Sequence, residues 1–168
     1  MRRFLDGLYL VAGALAAIFT IGVLVAVSLS IVTRQLGVYI PGLDAYAGYS
    51  MAAAGFLALA HTFKTGEHIR VTLVLSALSN KNRMRLDIAA LLVACLITAS
   101  LAWFSGKLVL DSLSYNDVST GDDATPLWVP QLAMAIGTFI FFIAVLDETT
   151  RRMRGIPETV QPGDTRHE

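Results

Sequence analysis

Four runs of apolar residues dominate the chain, each long enough for a helix to cross a lipid bilayer: Leu8–Val32, Ala45–Phe63, Leu86–Leu110 and Leu127–Leu146. A helix rises about 1.5 Å per residue, so about 20 residues cover the roughly 30 Å hydrocarbon layer. The second run meets that length with least to spare. Lipid offers the backbone no hydrogen-bond partners, so each run is expected to be a helix, which pairs its N–H and C=O groups internally. Leu8–Val32 has none of the polar face that a soluble helix needs. The expected fold class is therefore an all-α integral membrane protein with four transmembrane helices, over about residues 8–33, 44–64, 86–110 and 127–147. They form one domain over residues 1–154, and the polar stretch 155–168, with Pro157 and Pro162, reads as a flexible tail.

Composition agrees. Hydrophobic residues make up 55% of the 168, above the roughly 45–50% usual in soluble domains. Only 15% are charged, and nearly all lie between or beyond the apolar runs. The formal net charge of +0 gives no basis for nucleic-acid binding. Cys95, the single cysteine, lies inside the third run, cannot form an internal disulfide, and reads as a small buried apolar residue. Arg2 and Arg3 make a basic start, but the run that follows is about 25 residues long, against roughly 7–15 for the core of a cleaved signal. It reads as a retained span.

Charge orients the helices. Lys and Arg favour cytoplasmic loops. Arg2 and Arg3 precede the first run, Lys64, Arg70, Lys81, Arg83 and Arg85 separate the second and third, and Arg151, Arg152, Arg154 and Arg166 follow the fourth. Four helices running up and down place all of these on one side. The other side carries Arg34 in one loop and Asp117, Asp122 and Asp123 in the next. Both termini are therefore expected in the cytoplasm. Between Lys64 and Arg85, Gly66 breaks the second helix, and Ile69, Val71, Leu73, Val74, Leu75, Ala77 and Leu78 follow. That stretch is too short to span. It suits a short interfacial amphipathic helix between the second and third spans, with the basic cluster at the anionic membrane surface.

Intramembrane charge is costly and marks transport paths. Here the first run has no charge between Asp6 and Arg34, and the fourth none between Asp123 and Asp147. Asp44, Lys107 and Asp111 fall near one end, where Lys107 and Asp111, four apart, suit an ion pair. His61 and His68 are seven apart near the other end, a poor arrangement for haem or metal and better suited to packing. Asp117, Asp122 and Asp123 lack the spacing of a calcium loop and read as a solvated acidic loop. No catalytic constellation is present, so no catalytic, cofactor or metal residue is assigned. Small residues do recur at helical spacing: Ala90, Ala94, Thr98, Ala102 and Gly106 in the third run, and Gly48, Ala52 and Gly55 in the second. They let helices pack closely, against each other or against another subunit. Trp128, Tyr39, Tyr46, Tyr49 and Tyr115 fit an aromatic belt at the outer interface, and Trp103 lies deeper.

The stretch ALAHTFKTGEHIRVTL, residues 58–73, resembles the signature of the small membrane (Q-type) subunit of tripartite ATP-independent periplasmic (TRAP) transporters. The matching positions are Lys64, Gly66, His68, Ile69, Arg70 and Val71. Arg34 at the end of the first span, Pro126-Leu-Trp-Val-Pro-Gln and Gly137 also fit, and the likeness covers about residues 5–153. Asp44 stands where many relatives carry a Glu pair. The resemblance implies a non-catalytic subunit of the bacterial inner membrane, packed against a large membrane subunit that holds the substrate and sodium sites. A periplasmic binding protein would deliver the organic acid, and this chain would need no cofactor of its own. The residues expected at partner or lipid interfaces are Arg34, Asp44, Lys64, Gly66, His68, Arg70, Ala94 and Ala102. Two other classes make demands that this sequence does not meet. A stand-alone four-helix transporter would need a membrane-embedded carboxylate, and a haem or quinone anchor subunit would need His pairs at matching depths.

Overall fold

A computed structural model describes residues 2–65 and 80–154. Four helices account for nearly all of them: α1 (Arg2–Gln35), α2 (Leu43–Lys64), α3 (Asn80–Tyr115) and α4 (Trp128–Met153). Gly66, His68 and Arg70, the proposed interfacial stretch and the tail from residue 155 lie outside the described residues. Helices α1 and α3 outrun their apolar cores at both ends. Apolarity marks where a helix meets lipid, whereas its ends are set by breakers and caps. The polar stretch Asn80–Arg85 contains neither Gly nor Pro, so it is helical and belongs to α3 rather than to a loop.

The helices that run toward the α1–α2 loop end in similar ways. After α1, Gly37 takes φ +70, the Val38 N–H donates to the Thr33 carbonyl at 2.9 Å, and the Gly37 N–H to that of Arg34 at 3.2 Å. This left-handed cap satisfies carbonyls that the helix leaves open. After α3, Asn116 takes φ 52 and the Asp117 N–H donates to the Ser112 carbonyl at 3.0 Å. Asn tolerates this conformation better than other side-chain-bearing residues.

Neighbours in the fold run in the order α1, α2, α4, α3. The arrangement is an open row: α1 touches α4 only slightly and makes no comparable contact with α3. On α1 the covered positions include Leu5, Tyr9, Ala12, Ala16, Phe19, Val23, Ala26, Ser30 and Thr33, alternating four and three residues apart. On α3 they include Leu91, Cys95, Thr98, Ala102, Ser105, Val109 and Ser112 with the same alternation. Such a seam averages 3.5 residues, the period of helices packed at a shallow crossing angle. The seam of α3 faces α4, and Ala94 and Ala102 lie half-buried along it. The small residues of α3 thus serve packing within this chain, while Ala90 is exposed.

The tightest contact joins α2 to α4. A Cβ on Gly137 would stand 2.6 Å from the backbone carbonyl carbon and oxygen of Phe56. Next to it, Thr138 is fully buried, its hydroxyl bonded back to the Ala135 carbonyl at 3.0 Å. The main apolar cluster lies where the N-terminal part of α1 meets the C-terminal halves of α2 and α4, and comprises Tyr9, Ala12, Ala60, Ile140 and Ala144. Leu5, Leu8, Phe63 and Phe141 pack around it. Phe63 meets Phe141 edge to face at 5.7 Å, a geometry that the ring quadrupoles favour.

Three helices are long and apolar enough to cross a membrane: Phe4–Gln35, Met84–Tyr115 and Trp128–Met153. The expectation of a fourth, over α2, is not met on the same measure among the described residues. Helix α2 has 22 residues, about 33 Å of helix, but Tyr46, Tyr49, Ser50, His61 and Thr62 dilute its apolar character. Its place between α1 and α4 covers part of that polarity. The His61 ring packs on Gly13, where an added Cβ would lie 2.9 Å from His61 Cγ, so this histidine serves helix packing. Outside the seams the apolar side chains face outward, as Leu96 and Trp103, 71% and 73% exposed, illustrate.

Replacing Gly137 by Ala is expected to destabilise the protein by about 1–3 kcal/mol, because the methyl group meets backbone that has little room to yield. Gly106→Ala, where a Cβ meets nothing within 4 Å, should be neutral or stabilising by up to about 1 kcal/mol. Thermal unfolding of both variants in one detergent compares them directly.

Candidate functional site

Every charged side chain described in the helices falls toward one end of the row or the other. At the first end lie the beginning of α1, the end of α2, Arg85 and Asp87 of α3, and the last turns of α4. Lys64 Nζ stands 3.7 Å from Asp147 Oδ2 and 5.7 Å from the centre of the buried Tyr9 ring. Lys64 therefore ties α2 to α4 and α1 together, by charge and by the negative ring face. Arg152 reaches Asp87 of α3 at 3.0 Å and Glu148 of its own helix at 3.0 Å. Arg151 meets Glu148 at 3.4 Å. All these side chains are at least two-thirds buried, so the pairs are screened less than surface pairs.

The opposite end gathers the α1–α2 loop, the beginning of α2 and the α3–α4 loop. Arg34 Nη2 lies 2.6 Å from Asp44 Oδ2, and the Ser30 hydroxyl donates to Asp44 Oδ1 at 2.9 Å. Arg34 and Asp44 were singled out separately from the sequence, and the tight α1–α2 turn brings them together. Their side chains are 67% and 71% exposed, so the pair contributes roughly 0.2–1 kcal/mol and chiefly orients the turn. Lys107 and Asp111 form no ion pair among the described residues.

The acidic loop is not simply solvated. The Tyr39 hydroxyl donates to Asp122, and the Tyr49 hydroxyl to Asp123 at 3.0 Å. Ser119 donates to Asp123 at 2.8 Å, and the Thr125 and Tyr46 hydroxyls are hydrogen-bonded at 3.3 Å. Val118 and Pro126 form an isolated antiparallel bridge that narrows the loop. Gly42 makes the approach possible: its φ of +83 is left-handed, and a Cβ there would lie 2.8 Å from that of Asp123. The bond to Asp122 pushes the Tyr39 hydroxyl above the usual phenol range. Bonding by Thr125, with further bonds from Ser119 and Tyr49, holds the Asp123 carboxyl down at about 2.

Between Arg34 and Asp122 the loops line a half-open cavity of about 210 Å³, bounded by Ser30, Thr33, Arg34, Tyr39, Asp44 and Asp122 among others. Among the described residues no three His, Cys, Asp or Glu side chains gather as metal ligands would. Sequence alone suggests an aromatic belt for the tyrosines and a solvated loop for the aspartates. Their bonds join residues 74 to 83 apart in sequence, beyond the reach of any local pattern. The partners of Lys64 were missed for the same reason.

The family model of the tripartite ATP-independent periplasmic transporters, DctQ component, matches residues 23–155. No curated protein matches the chain.

The loop contact should depend on pH through Asp123. Its carboxyl is depressed in the folded state, so the contact is complete above the ordinary carboxylate value of about 3.9 and is lost as pH falls through about 2. Hydrogen exchange at the amides of Gly121–Thr125, corrected for intrinsic rate, should stay flat from about pH 7 to about pH 5 and rise below about pH 4. Asp123→Asn should flatten that rise.

Proposed function

Because the chain belongs to the DctQ component family of tripartite ATP-independent periplasmic transporters, we propose that it packs beside a large membrane subunit and supports sodium-coupled uptake of an organic acid. A periplasmic binding protein delivers the acid. The large subunit carries the substrate and sodium sites, and this chain widens the fixed wall against which they move. It is non-catalytic and holds no cofactor. All four helices cross the bacterial inner membrane, α2 sheltered by its neighbours. The end carrying Lys64, Arg85, Arg151, Arg152 and Arg154 faces the cytoplasm, as the positive-inside rule directs, and both termini lie there. The acidic loop faces the periplasm, where it can meet the binding protein.

The observation that carries this reading is the segregation of charge to the two ends of the row. A helix that lines an ion or proton path keeps an ionisable group at mid-depth. Here the helix middles offer only packing surfaces. One of these is open: Gly48, Met51, Ala52 and Gly55 are exposed on the outer half of α2, and a Cβ on Gly48 or Gly55 would meet nothing within 4 Å. Small residues let a partner helix approach closely, and packing then drives association in lipid. This face of α2, rather than the seam of α3, is the contact for the large subunit.

Tagged chain, expressed with its genomic neighbours and extracted in mild detergent, should bring down a large membrane protein in equal amount. Gly55→Leu should lose that partner and keep its thermal stability, whereas Ala102→Leu should lower stability because it overfills the α3–α4 seam. A homo-oligomer that moves solute in vesicles without a partner would overturn the reading. Charge reversal at Asp117, Asp122 and Asp123 should reduce uptake at low salt more than at high salt if the acidic loop meets the binding protein.

A further inference from the structure

We propose that the cavity at the acidic end of the row binds a compact zwitterion, its primary ammonium at Asp44 and Asp122 and its anionic group at Arg34. The phosphoethanolamine headgroup of a membrane lipid is the first source of that chemistry, and a free small zwitterion is the second. The inference rests on the reading above in one respect, that this end of the helices lies at a membrane surface.

Charge composition argues for both signs in the ligand. The lining offers one guanidinium and two carboxylates around about 210 Å³, smaller than the roughly 300–1,000 Å³ of drug-sized sites. A simple anion would face the two carboxylates, and a simple cation would face Arg34. A ligand carrying both charges a few atoms apart complements all three. The three groups also keep bonding capacity. Arg34 engages Asp44 through Nη2 alone, and a guanidinium has five N–H donors in a fork that suits phosphate. Asp44 accepts one bond at each oxygen, and Asp122 accepts from Tyr39 at Oδ2. Each carboxylate oxygen has a further lone pair for an ammonium N–H.

Depth argues for a lipid. The cavity begins at Ser30, within the last turns of α1, and extends past the helix end. Tyr39 and Val38 in its lining are 70% and 53% exposed. Apolar and aromatic side chains exposed beside a charged cavity belong at headgroup level, with acyl chains on one side and water on the other. A primary ammonium can donate hydrogen bonds to both carboxylates. A trimethylammonium cannot, and it is larger.

The full chain is reconstituted in nanodiscs of mixed phosphatidylethanolamine, phosphatidylcholine and phosphatidylglycerol, released gently, and weighed by native mass spectrometry. Phosphatidylethanolamine should be retained in preference to the other two. Retention should fall about tenfold in Arg34→Gln and in Asp122→Asn, the scale of one lost charge-assisted hydrogen bond. Asp111→Asn, at the same end but outside the cavity, should retain it as the parent does. Asp122→Asn keeps an acceptor for Tyr39, so it remains informative should Arg34→Gln fail to fold. Soluble glycerophosphoethanolamine that displaces the lipid assigns the site to free zwitterions as well; no displacement assigns it to lipid alone. Equal retention of phosphatidylcholine and phosphatidylethanolamine, or full retention in Asp122→Asn, would overturn the proposal. A nanodisc exposes both faces and contains no large subunit, so this result stands or falls apart from the co-purification and from sidedness.

Discussion

Where Gly137 of α4 meets the Phe56 carbonyl of α2, the two inner helices touch backbone to backbone. Lipid tails are as apolar as leucine, so apolar side chains gain little by leaving lipid for each other. Close van der Waals approach has to supply the association instead. A side chain at Gly137 would hold the helices apart and weaken the contacts above and below it, from Thr138 to Ile140 and Ala144. The helix order follows from this contact. With α2 and α4 pressed together, α1 covers the far side of α2 and α3 the far side of α4, and neither edge helix reaches the other. An open row results, not a closed bundle.

The two ends of the row are held by different chemistry. At the basic end, Lys64, Arg151 and Arg152 are paired with Asp87, Asp147 and Glu148, and the pairs link α2, α3 and α4. At the acidic end, phenol and hydroxyl groups donate to carboxylates, and exposed Arg34 bridges the end of α1 to the start of α2. The half-buried ionic ties thus lie at the basic end beside the apolar cluster, whereas the acidic end combines one exposed ion pair with neutral donors. This leaves the helix middles free of charge and their outer faces free for lipid or protein. That form is consistent with the proposed role as a subunit that a larger membrane protein packs against.

Much of this was legible in the order of residues. Apolar length dictated helices, because a backbone in hydrocarbon must satisfy itself. Charge dictated the up-and-down alternation, and among the described residues Lys64, Arg85, Arg151, Arg152 and Arg154, expected on one side, do lie at one end of the row. The run ALAHTFKTGEHIRVTL pointed to the family that the match over residues 23–155 establishes. Helix ends were less legible: Asn80–Arg85 is polar and helical, because a helix continues past its apolar core until a residue such as Gly37 or Asn116 stops it. The polar character of α2 was visible too, but not the neighbours that cover it.

Sequence by itself determined that the chain is helical and apolar, which of its segments share an end, and that no Asp, Glu, Lys or Arg sits deep in an apolar run. Those properties depend on near neighbours along the chain and on solvent. Only the tertiary structure decided which small residues are already in use, with the α3 seam filled by α4 and the outer face of α2 left open. It also decided that Arg34 meets Asp44, that Tyr39 and Tyr49 reach the α3–α4 loop, and that a charged cavity lies between them. Each of these depends on how helices distant in sequence come to lie side by side, and that is fixed by backbone approach at points such as Gly137 and Gly42.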